Sequence, residues 1–442
     1  MKRRTSDFIS RQNGEKVNFF ARFTPKQYII AGVVVVVLLV LGYLAVWYSG
    51  NYINKHDINV TNPAGVSLDY EWKDSASRHG VVGDYLISRT TSLLVDQRAD
   101  DTLIVSSYML PGRLATEEGK ESGIYLLSDQ ALLLKTYLAQ NNRFAAVNLV
   151  NEINSRFPCN GQGLHPDYIS SNDKTSITFG VSSNLDFLEA YIDYYALYGK
   201  KSDFDNISSL VESVFDENGL LISHDITVGS YQDLPQVGIA GEAVLEESSL
   251  KTTFNGTLVS DVNLYLIKVL EDNDLLPEGS YDRNLALVKG AKVSDEIPLY
   301  AYAYYINDGG ETVYMYASGE TSTLDVVSSV KTLMNLALAG ENDAAAVSFI
   351  KTEMINSSVL LDTYYYNSGH IEGLENRDVY AYLMAIAKAT GDYDLYEATV
   401  SVIGNYVATR SASPALSMLF EVENGRNICY ARDNLYAFLY LF

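Results

Sequence analysis

The chain has 442 residues, a formal net charge of -23, 34 tyrosines and two cysteines. That length allows a large core, and the charge excludes a nucleic-acid or polyanion binder, which needs cationic side chains. Two cysteines fall short of a zinc-ribbon pattern, and His56, His79, His165, His224 and His370 form no H-E-x-x-H, so neither a metal nor another cofactor is expected.

The first element is Tyr28–Tyr48, YIIAGVVVVVLLVLGYLAVWY, which has no charged side chain. About 20 apolar helical residues span a ~30 Å hydrocarbon core. Tyr28, Trp47 and Tyr48 at its ends suit the membrane interface. Seven basic residues, from Lys2 to Lys26, precede it against Asp7 and Glu15, and this excess places residues 1–27 in the cytoplasm. A cleaved signal peptide is the alternative. Its apolar core is only ~7–15 residues long and ends at an A-x-A-like site, which VWYSGNYINK does not offer. The expectation is a single-pass anchor at 28–48, a linker over 49–81 and an extracellular domain over 82–442. The first 50 residues carry about +5, leaving about -28 outside the membrane.

From Val82 onward the pattern is helical. VGDYLISRTTSLLV comes first. Six Asp-headed apolar segments follow, beginning at Asp129, Asp186, Asp261, Asp325, Asp378 and Asp433. Each of the first five ends at Gly or a polar cluster and is followed by a second amphipathic run: FAAVNLVNEI, FDNISSLVESVF, DRNLALVKGA, AAAVSFIKTEM and LYEATVSVIGNYV. The Asp-headed helices are apolar nearly all round and belong inside, whereas the partners have a polar face and belong outside. The last Asp-headed helix has no following partner, and Val82–Val95 can supply one. The expected fold is therefore mainly all-α, an (α/α)6 toroid of six helical hairpins, with an open solenoid as the alternative. The long outer-to-inner connections gather on the face of the inner-helix N-termini, where functional residues concentrate. One of them, PLYAYAYYINDGGETVYMYA, reads as a β-hairpin around Asn-Asp-Gly-Gly. Further β structure is expected near Leu103–Ser107 and Leu220–Val228.

Two stretches near the first inner helix are suggestive. ESGIYLL, from Glu121, places Tyr125 four residues after an acid, and SDQALLL, from Ser128, places Asp129 at the helix head. The second inner helix carries SSNLD, ending at Asp186. With the hairpin architecture, these stretches resemble the six-hairpin glycosidases, most nearly glycoside hydrolase family eight, the cellulase and chitosanase group. That family opens its first inner helix with Ser-Glu-Gly, whose Glu is the general acid, and its second with an acidic D-G-D-x-D run. The resemblance implies Glu121 as proton donor, Asp129 next, and Asp186 as base or sugar-orienting residue. Here Ser122 follows Glu121 where the family has Gly, Asp129 stands where it has Glu, and only Asp186 remains of the acidic run. For any one of these Asp residues capping is the plainer reading, because Asp accepts from free N–H groups and complements the helix dipole.

Tyr125, Tyr364, Tyr365 and Tyr366 are candidate sugar platforms, and His370 with Asn367 a candidate hydroxyl-binding loop. Such rings also commonly pack at a core edge. Two functions follow. One is a membrane-anchored hydrolase of a cell-surface or exported polysaccharide, using paired carboxyl groups alongside an exopolysaccharide synthesis or export machinery. The other is a catalytically degenerate glycan-binding or scaffold protein on the same fold. A polysaccharide lyase fits less well, because its acidic polymer meets a negative surface. Cys159 and Cys429 can bridge or stay free.

Overall fold

Among the described residues, fourteen α-helices are the main element, and the inner and outer sets differ in how many faces they bury. A computed structural model describes residues 25–53, 55–60, 70–95, 102–111, 119–170, 178–228, 236–237, 243–244, 252–316, 323–366, 368–411, 413–423 and 425–441. The basic tail before residue 25, Asn367 and parts of the long connections lie outside these residues.

Helix α1, Pro25–Tyr52, contains an apolar run of 21 residues, Gly32–Tyr52, long and apolar enough to cross a membrane. It extends beyond the expected 28–48 at both ends. The stretches Asp57–Gly199 and Asp203–Phe442 form a second compact unit. It opens with α2, Tyr70–Arg78, and α3, Gly83–Leu94.

The inner helices are α4 (Leu127–Ala139), α6 (Val181–Tyr198), α8 (Leu264–Asp272), α10 (Val326–Leu338), α12 (Asp378–Thr390) and α14 (Ala431–Leu441). The outer helices are α5 (Arg143–Arg156), α7 (Lys201–Val214), α9 (Ser280–Gly290), α11 (Ala344–Ser357) and α13 (Tyr393–Gly404). Helix α12 buries every residue from Val379 to Ala387, as a helix packed on all sides must. By contrast α7 buries one stripe, Ile207, Leu210, Val211 and Val214, the i, i+3, i+4, i+7 face of a surface helix.

Helix α14 packs on α12, on α4 and on α3. It thereby closes the ring, and α3 takes the outer position for which Val82–Val95 was expected. The closure is reinforced by hydrogen bonding, because strand Arg426–Tyr430 pairs antiparallel with Ser107–Met109. Helix α2 adds a layer that the periodicity did not announce: Trp72 packs 4.7 Å from the Tyr396 ring on α13.

Small sheets decorate the inner-helix N-terminal face. Ala303–Ile306 and Thr312–Met315 form the expected hairpin, joined by Thr252–Leu258 and His224–Val228. Thr323–Asp325, Leu361–Tyr365 and His370–Glu375 form another sheet.

Cys159 and Cys429 are both free thiols. Cys429 is fully buried in its strand, and the Cys159 Sγ lies 3.5 Å from the His165 Nε2.

Candidate active site

The six Asp residues heading the inner segments do different jobs. Asp325 alone is an N-cap, its Oδ1 accepting the Ser328 N–H at 2.7 Å. Helix α6 starts at Val181 behind Gly180, which leaves Asp186 in its second turn. Helix α8 is capped by Asn263, and Asp261 belongs to a preceding 3-10 turn, Val259–Asp261. Asp129, Asp378 and Asp433 lie in the first turns of α4, α12 and α14 without capping them. The inner-helix heads thus carry acids that their own helices do not use.

Three of these acids, Asp129, Asp378 and Asp433, interact at the mouth of the ring. Asp129 is 1% exposed, and neither carboxyl oxygen has a hydrogen-bond partner. Burial raises its pKa to about 7, Arg432 opposes this, and Asp433, Asp378 and Asp186 add to it. Arg432 Nη2 pairs with Asp378 Oδ2 at 3.0 Å. Asp433 is lifted to about 7 by burial and by Asp378, against Arg432. The mouth therefore sets two acids whose pKa values are raised toward neutrality, Asp129 and Asp433, beside the Arg432–Asp378 pair, an arrangement suited to acid–base chemistry.

Below the mouth the axis is a ladder of ion pairs. Lys331 Nζ lies 3.1 Å from Asp261 Oδ1, and the Ser182 hydroxyl donates to the other oxygen of Asp261. One level down, Lys135 Nζ lies 2.7 Å from Glu189 Oε1, while Asn263 Nδ2 donates to Glu189 Oε2 at 2.8 Å. Burial works against both ammoniums, but the paired carboxylates outweigh it and hold them charged. Asp186 stands between the two pairs, and no hydrogen bond holds it among the described residues. Burial raises its pKa while Lys331 and Lys135 pull it down.

These side chains line a cleft that opens in part to solvent, with Tyr436 and Tyr440 along one wall. A neighbouring pocket is lined by Asp378, Asp433 and again Tyr436. Among the described residues, no group of three or more His, Cys, Asp or Glu side chains could hold a metal ion.

The structure brings Asp129 and Asp186 together. Glu121 is placed elsewhere, half-buried on strand Lys120–Glu121 opposite Tyr108, and is not among the charges that act most on Asp129. Two expected sugar platforms turn inward. Tyr125 is 2% exposed and carries the Arg156 guanidinium 5.2 Å over its ring. Tyr364 is 5% exposed against Phe349 of α11. Both rings belong to the hydrophobic core rather than to the cleft. Tyr365, Tyr366 and His370 remain at the surface of their sheet, half-buried to exposed.

Sequence reasoning passed over Lys135, Glu189, Lys331, Arg432, Tyr436 and Tyr440. The available signal was spacing: 182, 186 and 189, or 432, 436 and 440, put polar groups on one face of an otherwise apolar helix.

No protein-family profile matches the sequence, and no curated protein does. Solved structures do match. An alpha-amylase from Clostridium perfringens aligns over 83% of this chain and 97% of its own, at 16% identity and a TM-score of 0.60. PssZ from Listeria monocytogenes aligns over 80% and 93%, at 10% identity and a TM-score of 0.52. A reducing-end-xylose releasing exo-oligoxylanase complexed with xylobiose aligns over 88% and 96%, at 11% identity and a TM-score of 0.50. The chain has the (α/α)6 fold of the six-hairpin glycosidases.

Proposed function

We propose that the protein is a glycoside hydrolase, anchored by α1 with its N-terminus in the cytoplasm and its ring outside, acting on a cell-surface or exported polysaccharide. The observation that carries this reading is the raised pKa of Asp129, about 7, beside Asp378 and Asp433 at the ring mouth and above Asp186, on a fold shared with sugar-cleaving enzymes. In hydrolysis, a protonated carboxyl gives its proton to the leaving glycosidic oxygen as the C–O bond breaks. A water oxygen then bonds to the sugar carbon and its proton goes to a carboxylate. Asp129 is assigned as donor, Asp186 as the residue orienting the sugar or the water, and Arg432 as the cation paired with Asp378. Glu121 is the alternative donor. An exopolysaccharide synthesis or export machinery is the partner class such an anchored enzyme would serve.

The test is a glycan-cleavage screen read by new reducing ends. Asp129→Asn and Asp186→Asn are expected to reduce turnover by at least about a hundredfold, the usual scale for a lost acid or base. Glu121→Gln is expected to leave most of it. Loss confined to Glu121→Gln moves the donor role to that residue.

A second reading has its own observation. A donor must come within hydrogen-bond reach of the leaving oxygen, and Asp129 is only 1% exposed. A glycan-binding protein that has lost turnover fits that burial, and oligosaccharide binding without cleavage would establish it.

A further inference from the structure

We infer that the axial cleft is an end-on subsite that takes the terminal unit of a neutral glycan, so that the protein works at chain ends. This rests on the glycan-active reading above but goes beyond it, since that reading needs only a mouth where carboxyl groups meet a chain.

The first argument is enclosure. The cleft is walled by Lys135 from α4, Asp186 and Glu189 from α6, Asn263 at the head of α8, Lys331 and Leu338 from α10, and Tyr436 from α14. Helix α14 packs on both α12 and α4, and the Asn263–Glu189 hydrogen bond ties the head of α8 to α6, so these contacts bound the cleft on both of those sides. Depth is the second argument. Ser182 to Glu189, and Lys331 to Leu338, each cover seven residues, or about 10 Å at 1.5 Å per residue. A chain lying across the mouth would meet only the first-turn acids. Only a terminus pointing down the axis can reach Glu189 and Leu338.

Chemistry selects the ligand class. Tyr436 and Tyr440 lie one turn apart with rings stacked at 6.0 Å and 16°, and form an aromatic wall. Asp186 faces the same space as an acceptor without a partner, and Ser260, Asn263 and Asn335 add polar groups. An apolar wall with a few convergent polar groups is how pockets hold hydroxylated ligands. Both lining ammoniums are already neutralised, Lys331 by Asp261 and Lys135 by Glu189. The lining thus sets three carboxyl groups, Asp186, Asp261 and Glu189, against two ammoniums, a balance that disfavours carboxylated or sulfated sugars, while Asp186 can accept hydrogen bonds from neutral ones.

The full-length protein in detergent micelles is tested on soluble starch, hydroxyethyl cellulose, xylan and chitosan, following product size and viscosity together. The expected result is one short product from the earliest times, with viscosity almost unchanged while it accumulates. Products of mixed length with a steep fall in viscosity would overturn end-on binding and leave the hydrolase reading standing. The matching hexasaccharides are also titrated calorimetrically, with either end free or chemically capped. Binding lost on capping one end supports the subsite even where nothing is cleaved, in which case the hydrolase reading alone fails. Binding that tolerates caps at both ends, or no binding and no cleavage at all, overturns the inference. Leu338→Trp fills the deep end and is expected to lower turnover or affinity on the order of tenfold or more, at unchanged melting temperature. Unaltered function in a folded Leu338→Trp overturns the inference, and the capping result decides if that variant does not fold.

Discussion

Asp129 is dry, and its proton is the most testable feature at the residue scale. Its pKa of about 7 is set by burial, against Arg432 and with Asp433, Asp378 and Asp186, whereas an unfolded Asp releases its proton near 4. Between roughly pH 4 and 7 the folded chain holds a proton that the unfolded chain has lost. Stability therefore falls as pH rises through that window and is flat on either side. Asp129→Asn removes this slope. Its melting temperature relative to wild type is expected to climb from pH 4 to pH 8, by an amount worth at most about 4 kcal/mol; a pH-independent difference would contradict a buried neutral acid. Lys331→Met tests the ladder. It leaves Asp261, 3% exposed on its side chain, with the Ser182 hydroxyl but no cation, and is expected to destabilise by about 3 kcal/mol in denaturant unfolding. In the native, unreduced protein, Cys159 is expected to alkylate readily and Cys429 only on unfolding, because the first thiol is exposed and the second fully buried.

At the scale of elements, the question is what each inner-helix Asp supports. Asp325 caps α10 with a bond of 2.7 Å, so Asp325→Ala is expected to cost about 1 kcal/mol and Asp325→Asn much less. Asp186 in α6 caps nothing, and its Ala variant carries no such cost. Helix α3 is the other informative element. Leu86 and Leu94 are fully buried and Ile87 nearly so, and the helix packs on α14. Leu86→Ala is expected to cost about 2–5 kcal/mol and to lower the melting of the whole ring in a single transition, since the same contact closes it. A separate early transition confined to the C-terminal helix would argue for an open arrangement. The hairpin periodicity was readable because it is local: α12 is apolar on every face and α7 on one stripe. Helix α2 escaped notice because YEWKDSASR is mostly polar, and its position depends on one tryptophan finding Tyr393 and Tyr396.

For the whole molecule, the anchor assignment predicts retention in the membrane fraction after alkaline carbonate washing. It also predicts that protease added outside intact cells digests the ring. A soluble species starting near residue 50 as the sole cellular form would instead mark the first helix as a signal sequence.

The sequence by itself determined the apolar N-terminal helix, the alternation of inner and outer helices and the segment that closes the ring. Each of these is periodic hydrophobicity over 10 to 20 neighbouring residues, a signal of where a helix runs and how many faces it must bury. It also placed Asp129 and Asp186 among the candidate acids, but it could not tell a cap from a cleft residue, because Asp at a helix head serves both. Only the tertiary structure decided which acids meet. Lys331 reaches Asp261 across 70 residues of chain, and Asn263 reaches Glu189 across 74. The Asp378–Arg432 pair and the aromatic wall of Tyr436 likewise depend on how each inner helix is rotated about its axis. That rotation is set by packing against two neighbours at once and leaves Asp186 facing the cleft, while the strands that carry Tyr125 and Tyr364 pack those rings into the core.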